Sequence, residues 1–395
     1  MSVLLGGAQT PPRGLRAAIL ACGHGYWTTA CRKVQTATAM YRTGGTMLHP
    51  ALRAGCLILA AALACAPCAA FELQMVTRAQ AKDLRTGLDQ LGVRGVSLQM
   101  ILDNGYEPVH ERIMLMSYGC SGQPSCAAHS ERARVGMGLQ WNDNPPDAPS
   151  LGACQGKVVM LPHRSGNCWL AHMLEAKRNP DAGYGEASLM AQRSHYGDMQ
   201  FLHAMASEPG EAASTTLEHM MAWAEYSYRL SLRGGLEQLD VEAPVRQFAG
   251  LAPWFQDEKR HWTGADLFMF GHEYDEPLIR DMAFGSLLHL LQDSYSQSHV
   301  QRDYAADGLP IERLLTYRGQ SSHCHAKADR KGPEGKKPLT ANLRAAIEMG
   351  RELIALRERT APWTEAEGLL RGSAFRLAAD VQPAGTGAFA SKHCK

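Results

Sequence analysis

Residues 275–296, DEPLIRDMAFGSLLHLLQDSYS, decide the fold class. Acidic residues open the stretch, as suits a helix N-terminus, and from Phe284 to Leu291 nearly every position is apolar. A helix that is apolar all round belongs at the centre of a protein. This one nevertheless carries His289 and Asp293, four residues apart, so both side chains leave the same face about one turn from each other. An ionised aspartate in such surroundings is costly unless it is paired or bound to a metal. A metal ion shared with His289 removes the cost. A simple His–Asp hydrogen bond in the core does so as well, and these two residues alone do not separate the alternatives.

Working outward, further helices are expected over 76–92, ended by Gly92, over 109–118, and from Glu186 onward. Another over 211–232 stops at Gly234-Gly235, and two more follow over 340–359 and 364–377, the last opening with the Thr364/Glu367 spacing of a capping box. There is no internal repeat, no glycine-rich phosphate loop and no strand–helix alternation. The expected architecture is all-α, a single multi-helix domain. Residues 119–179 break the pattern with SGQPS, NDNPPDAPS, LPHRSG and four cysteines. They read as an irregular, disulfide-stapled excursion from the helical body.

The chain has 395 residues, 45% hydrophobic and 20% charged, with a formal net charge of +1. No overall basic field marks it for nucleic acid, and nothing calls for an obligate protein partner. Residues 47–70 hold a basic Arg53, an uncharged apolar run from Cys56 to Cys65, and small residues ending at Ala70. That is the pattern of a signal peptide cleaved near Ala70; a membrane anchor is the alternative, but it needs roughly 20 apolar residues. Residues 1–46 then read as an upstream mis-start or disordered leader, and 71–395 as the mature domain, secreted or periplasmic. Six cysteines remain, Cys120, Cys126, Cys154, Cys168, Cys324 and Cys394, and an even number in an exported chain suggests disulfides.

Three more segments carry ligand chemistry. In SSHCHAKADR, His325 and Asp329 repeat the four-residue spacing, with His323 as a substitute; a solvated polar loop is the plain alternative. In SHYGDMQFLHAMA, Gly197-Asp198 reads as a break and N-cap before a helix over 199–206. Asp198 and His203 then lie near each other, with His195 as an outer partner of Asp198. In PVHERIML, His110 opens an amphipathic helix, where a surface histidine is the ordinary outcome. Taken together, nitrogen and oxygen ligands without thiolates favour zinc. Six or more of them exceed one tetrahedral ion and suit a cluster of two or three.

With these residues in place, the chain resembles the zinc-dependent phospholipase C and single-strand nuclease superfamily. The likeness rests on His-x3-Asp-x5-His at His289, Asp293 and His299, then His-x3-Asp at His325 and Asp329, with His110 and the Asp198/His203 pair upstream. It spans residues 110–329. The resemblance implies an all-α fold and up to three zinc ions, one held by Asp198, His203, His289 and Asp293. His299, His325 and Asp329 would hold a second, and His110 with Asp293 part of a third, to which the amine of a mature N-terminal Phe71 is a candidate. It also implies phosphodiester hydrolysis by a metal-activated water oriented by Asp198. The expected substrate is a phospholipid at a membrane surface, cleaved as by a phospholipase C. Single-stranded nucleic acid is the close alternative, and a non-catalytic, zinc-stabilised secreted protein the more distant one.

Overall fold

The computed structural model describes residues 109–120, 126, 129–143, 145, 176, 178–179, 181–257, 262–269, 275–321, 324–325, 328 and 339–390. The leader and signal segments, Phe71, the helix expected over 76–92, His323, Asp329 and most of 119–179 lie outside them. The chain divides into two units, Met1–Cys68 and Ala69–Lys395, and every described residue belongs to the second.

The described part is mostly helical. Helices α1 (Val109–Ser117), α2 (Ser130–Trp141), α3 (Met190–Tyr196), α4 (Ala213–Ser231), α5 (Gly264–Met269), α6 (Glu276–Asp293), α7 (Ala341–Glu358) and α8 (Trp363–Leu369) are joined by a small sheet. Helix α6 is the apolar stretch of the sequence and is buried from Ile279 to Asp293 without interruption. Its start is capped as expected, the Asp275 carboxylate accepting from the Leu278 N–H at 3.2 Å.

Two glycines let another helix lie against α6 almost backbone to backbone. A Cβ on Gly138 of α2 would sit 2.0 Å from the Met282 carbonyl oxygen, and one on Gly285 of α6 would sit 2.1 Å from that of Val135. Such an approach tolerates no side chain on either helix. Helix α2 also corrects the reading of 119–179 as irregular throughout. Its glycines blur the apolar period that marks a helix, although Val135, Leu139 and Trp141 are all buried. Cys120 and Cys126 do form a disulfide, and Cys324 is also disulfide-bonded.

The sheet is the second departure from the all-α expectation. Strands β1 (Val300–Arg302), β2 (Ile311–Leu315) and β3 (Leu377–Gly385) lie in that order. The first pair is antiparallel and the second parallel, both with irregular register. Its use is local: the Leu315 N–H donates to the His299 carbonyl at 2.8 Å, while the Leu315 carbonyl accepts from Ala206 N–H at 2.8 Å. One residue of β2 thus ties the segment carrying His299 to the turn carrying His203. At the chain's far end the helix expected over 364–377 stops early. It begins after Pro362, Glu367 pairs with Arg371 at 2.8 Å instead of closing a capping box, and one widened turn over Leu370–Ala374 leads into β3.

Away from the histidines, Asp281 of α6 is fully buried and receives three guanidinium groups. Arg134 reaches it at 2.6 Å, and Arg233 and Arg357 each at 2.5 Å. This pins α2, the end of α4 and α7 onto the central helix.

Candidate metal centre

The last turn of α6 presents His289 and Asp293 together, as their spacing requires, and both are buried. Around them the fold gathers side chains from separate elements. His203 comes from a single 3-10 turn, Gln200–His203; its Nδ1 lies 2.9 Å from Asp293 Oδ2 and 3.2 Å from His289 Nε2. His110 of α1 stacks on His289 with ring centres 4.2 Å apart, its Nε2 3.4 Å from Asp293 Oδ1. His299 lies 3.4 Å from Asp293 through Nδ1, and His325 stacks on His299 at 4.8 Å.

Two members come from outside the expected ligands. Asp143, just beyond the end of α2, places Oδ1 3.7 Å from His289 Nε2 and 3.9 Å from His203 Nδ1. It stands at the open edge of the cluster, with 41% of its side chain exposed. His195, expected only as an outer partner, packs its ring 4.6 Å from that of His203. Potential ligand atoms converge within 4.8 Å in three overlapping groups: His110, Asp143 and His289; Asp143, His195 and His203; His203, His289 and Asp293. These buried His/Asp groups have the geometry to hold a metal ion.

Asp198 is not brought into the cluster. Its carboxylate is clasped by Arg193, from Nε at 2.8 Å and Nη2 at 2.7 Å. Neither does it cap a helix, because the 3-10 turn starts after Met199 without a side-chain cap. The carboxylate that lies with the histidines in place of Asp198 is that of Asp143, which no arginine occupies among the described residues.

The histidines also share an arrangement of tautomers that suits metal binding. His289 Nδ1 faces the Leu139 carbonyl at 2.7 Å, His299 Nδ1 the His203 carbonyl at 2.7 Å and His195 Nδ1 the Ala191 carbonyl at 3.0 Å. His110 and His325 turn Nδ1 to the side-chain oxygens of Gln292 at 2.9 Å and Gln320 at 2.8 Å. A carbonyl only accepts, so these Nδ1 atoms carry hydrogen, and His289 and His110 turn Nε2 toward Asp293; at His299 it is Nδ1 that lies nearer Asp293. His203 is reversed: its Nε2 donates to the Asn142 carbonyl at 3.1 Å, which turns Nδ1 inward. Outer partners that fix ring and tautomer in this way accompany metal-ligating histidines.

The electrostatics agree. Burial, reinforced by repulsion from His203, lowers His195 to about 3 and so keeps it neutral. Burial also lowers His203. At His289 burial acts downward too, but Asp293 and Asp143 outweigh it and hold the ring up at about 9. Burial opposes the charge on Asp293, and the surrounding histidines still hold its carboxyl well below the usual range. Without metal, a proton on His289 Nε2 thus sits among His203 Nδ1, Asp293 and Asp143, where a cation would neutralise the same lone pairs.

Tyr317, which follows β2, was not singled out by the sequence. Its ring lies 4.4 Å from that of His325 and 5.8 Å from that of His299, closing that side of the cluster. The signal available for Asp143 was WND at the end of an interrupted apolar period. Asn142 beside it is wholly buried, donating to the Leu202 carbonyl at 2.6 Å and accepting from Ser286 Oγ at 2.6 Å, and that anchors the aspartate that follows. No family model, curated protein or solved structure matches this chain.

Proposed function

We propose that this protein is an exported, zinc-dependent phosphodiester hydrolase acting as a phospholipase C. The observation that carries the reading is the convergence of His110, Asp143, His195, His203, His289 and Asp293 into shared groups within 4.8 Å. Nitrogen and oxygen donors in that mixture suit zinc. The superfamily resemblance of the His289–Asp293–His299 motif supplies the reaction class, and the Cys120–Cys126 disulfide accords with an oxidising compartment.

These His and Asp residues would hold zinc, which would supply positive charge to a phosphoryl oxygen and acidify a water. The chain's own residues do the rest. His203, His289 and Asp293 form the buried base of the site, their orientations set by Asn142, Leu139 and one another. Asp143 is the carboxylate that substrate can approach. Burial works against its charge, but His289 and His203 hold its carboxyl below the ordinary range. A carboxylate held ionised in this way orients a water by accepting its hydrogen bond and is a weak store for its proton. A nuclease would also need a basic groove and stacked aromatic platforms, for which the near-neutral chain gives no direct sign.

The test is zinc content and turnover on the mature protein. We expect bound zinc, release of the phosphorylated headgroup from a short-chain phospholipid, and loss of both with a chelator. Zinc without hydrolysis of lipid, bis(p-nitrophenyl) phosphate or single-stranded DNA would leave only a zinc-stabilised protein. Cleavage of DNA alone would move the substrate to nucleic acid.

A further inference from the structure

A cavity of about 210 Å³ opens directly beside His110 and Asp293. That suits a small headgroup and is below the size of ordinary drug-like pockets. One side is apolar, formed by Ile113 of α1 and Leu343 of α7. Tyr304 also lines the cavity, half exposed at 50% and among the most exposed large side chains of the described residues.

The phenol is set up to donate. Asn342 Nδ2 donates to Tyr304 Oη at 2.9 Å, and Gln297 Nε2 donates to the same oxygen at 3.3 Å. The amide of Asn342 cannot be turned round, because its Nδ2 also donates to the Tyr295 carbonyl at 2.9 Å, which only accepts. Asn342 therefore takes an acceptor position of the phenol oxygen, and the Gln297 amide lies within reach of the same atom. With Asn342 donating to its oxygen, the phenol has its own hydrogen to give. Tyr304, Asn342 and Gln297 all line the cavity.

We infer that this cavity is the headgroup subsite, and that it takes a small hydroxylated group esterified to the phosphate, a glycerol-like polyol whose hydroxyl oxygen accepts from Tyr304 Oη. The apolar wall packs against the polyol's C–H faces, and the phosphate lies toward His110 and Asp293. A quaternary ammonium headgroup offers the phenol no acceptor, so it forms no such hydrogen bond in place of the water it displaces from the half-exposed phenol. The inference rests on the phosphodiesterase reading above.

The experiment uses the zinc-loaded mature chain with dihexanoyl phosphatidylglycerol, dihexanoyl phosphatidylcholine and bis(p-nitrophenyl) phosphate. Binding of sn-glycerol 3-phosphate and of inorganic phosphate is measured alongside by calorimetry. We expect kcat/KM to favour the glycerol lipid, and glycerol phosphate to bind more tightly than phosphate. In Tyr304→Phe both ratios should fall by about three- to tenfold, the weight of one neutral hydrogen bond. Hydrolysis without headgroup preference, or a preference that survives in Tyr304→Phe, overturns the subsite and leaves the hydrolase reading standing. A zinc-loaded chain that cleaves none of the three diesters overturns the hydrolase reading and the subsite with it.

Discussion

Replacing Gly138 by alanine tests whether the packing of two helices sets the metal centre. The added Cβ would meet the Met282 carbonyl oxygen at 2.0 Å and the Met282 Cα at 2.4 Å, both backbone atoms that no rotamer change can move. Reaching 3.4 Å, where ordinary van der Waals contact begins, requires α2 and α6 to part by about 1.4 Å. That displacement stretches the bond from His289 Nδ1 to the Leu139 carbonyl from 2.7 Å beyond hydrogen-bond reach. It also carries Asp143, five residues further along the same backbone, away from His289 and His203. Overpacking costs about 1–3 kcal/mol and the broken bond about 1 kcal/mol, against a helix-propensity gain of about 1 kcal/mol. The net loss of about 1–3 kcal/mol lowers Tm by roughly 2–12 °C. Because metal sites tolerate only about 0.2 Å of ligand displacement, zinc should also be lost. Gly368→Ala is the control: a Cβ there meets nothing within 4 Å, so Tm should hold or rise slightly. Calorimetric melting and elemental zinc on both variants decide the matter. A Gly138→Ala protein with wild-type Tm and full zinc refutes the reasoning.

Other outcomes follow from the same geometry. The double variant His289→Ala, Asp293→Ala should lose at least one zinc by elemental analysis, and unchanged content would remove α6 from the site. Asp281→Ala removes the buried carboxylate that Arg134, Arg233 and Arg357 share, leaving buried Arg357 only Glu131 at 3.1 Å as an acidic partner, and should cost about 3–5 kcal/mol in urea unfolding; a loss below about 1 kcal/mol would mean that the cluster behaves as surface ion pairs. In chelator, the raised His289 stabilises the fold fully below 6.5, and that contribution fades as pH climbs through about 9. The depressed Asp293 contributes above 3.8 and loses its contribution as pH falls further. Below 6.5, however, His195 and His203, held neutral by burial, take up protons only on unfolding and so cost stability as pH falls. Urea midpoints of the metal-free protein should therefore be highest near pH 6.5 and decline from there to 9, and a midpoint that rises from 6.5 to 9 contradicts the assignment.

What the sequence made legible was whatever a single periodicity carries. The apolar run of 275–296 announces a central helix, and four-residue spacing on that helix places His289 beside Asp293 with no further information. His110 and His203 were recognisable as residue types in suitable order, but their arrival at Asp293 is a property of packing. Asp143 and Asp198 mark the boundary of the method. Both are aspartates beside a chain break, and nothing local says which meets an arginine. Arg193 lies five residues before Asp198 and captures it across the Gly197 turn, whereas Asp143 is committed by buried Asn142 hydrogen-bonding to α6 and to the His203 turn. The strands escaped for a related reason. IERLL is short and has no alternation, and it becomes a strand by pairing with residues 377–385, far along the chain.

Charge explains why the proposed reaction asks for more than one ion. Asp143 and Asp293 bring two negative charges, and a single divalent cation that displaces the His289 proton would leave the pocket neutral, with no pull on a phosphodiester. The overlap of the three ligand groups, with Asp143, His203 and His289 each belonging to two of them, offers corners that adjacent ions can share. A second ion would leave the pocket with two net positive charges. Under the proposed function, electrostatic attraction for an anionic ester would then come from the site itself, so that a chain of net charge +1 would not depend on its overall charge to recruit one.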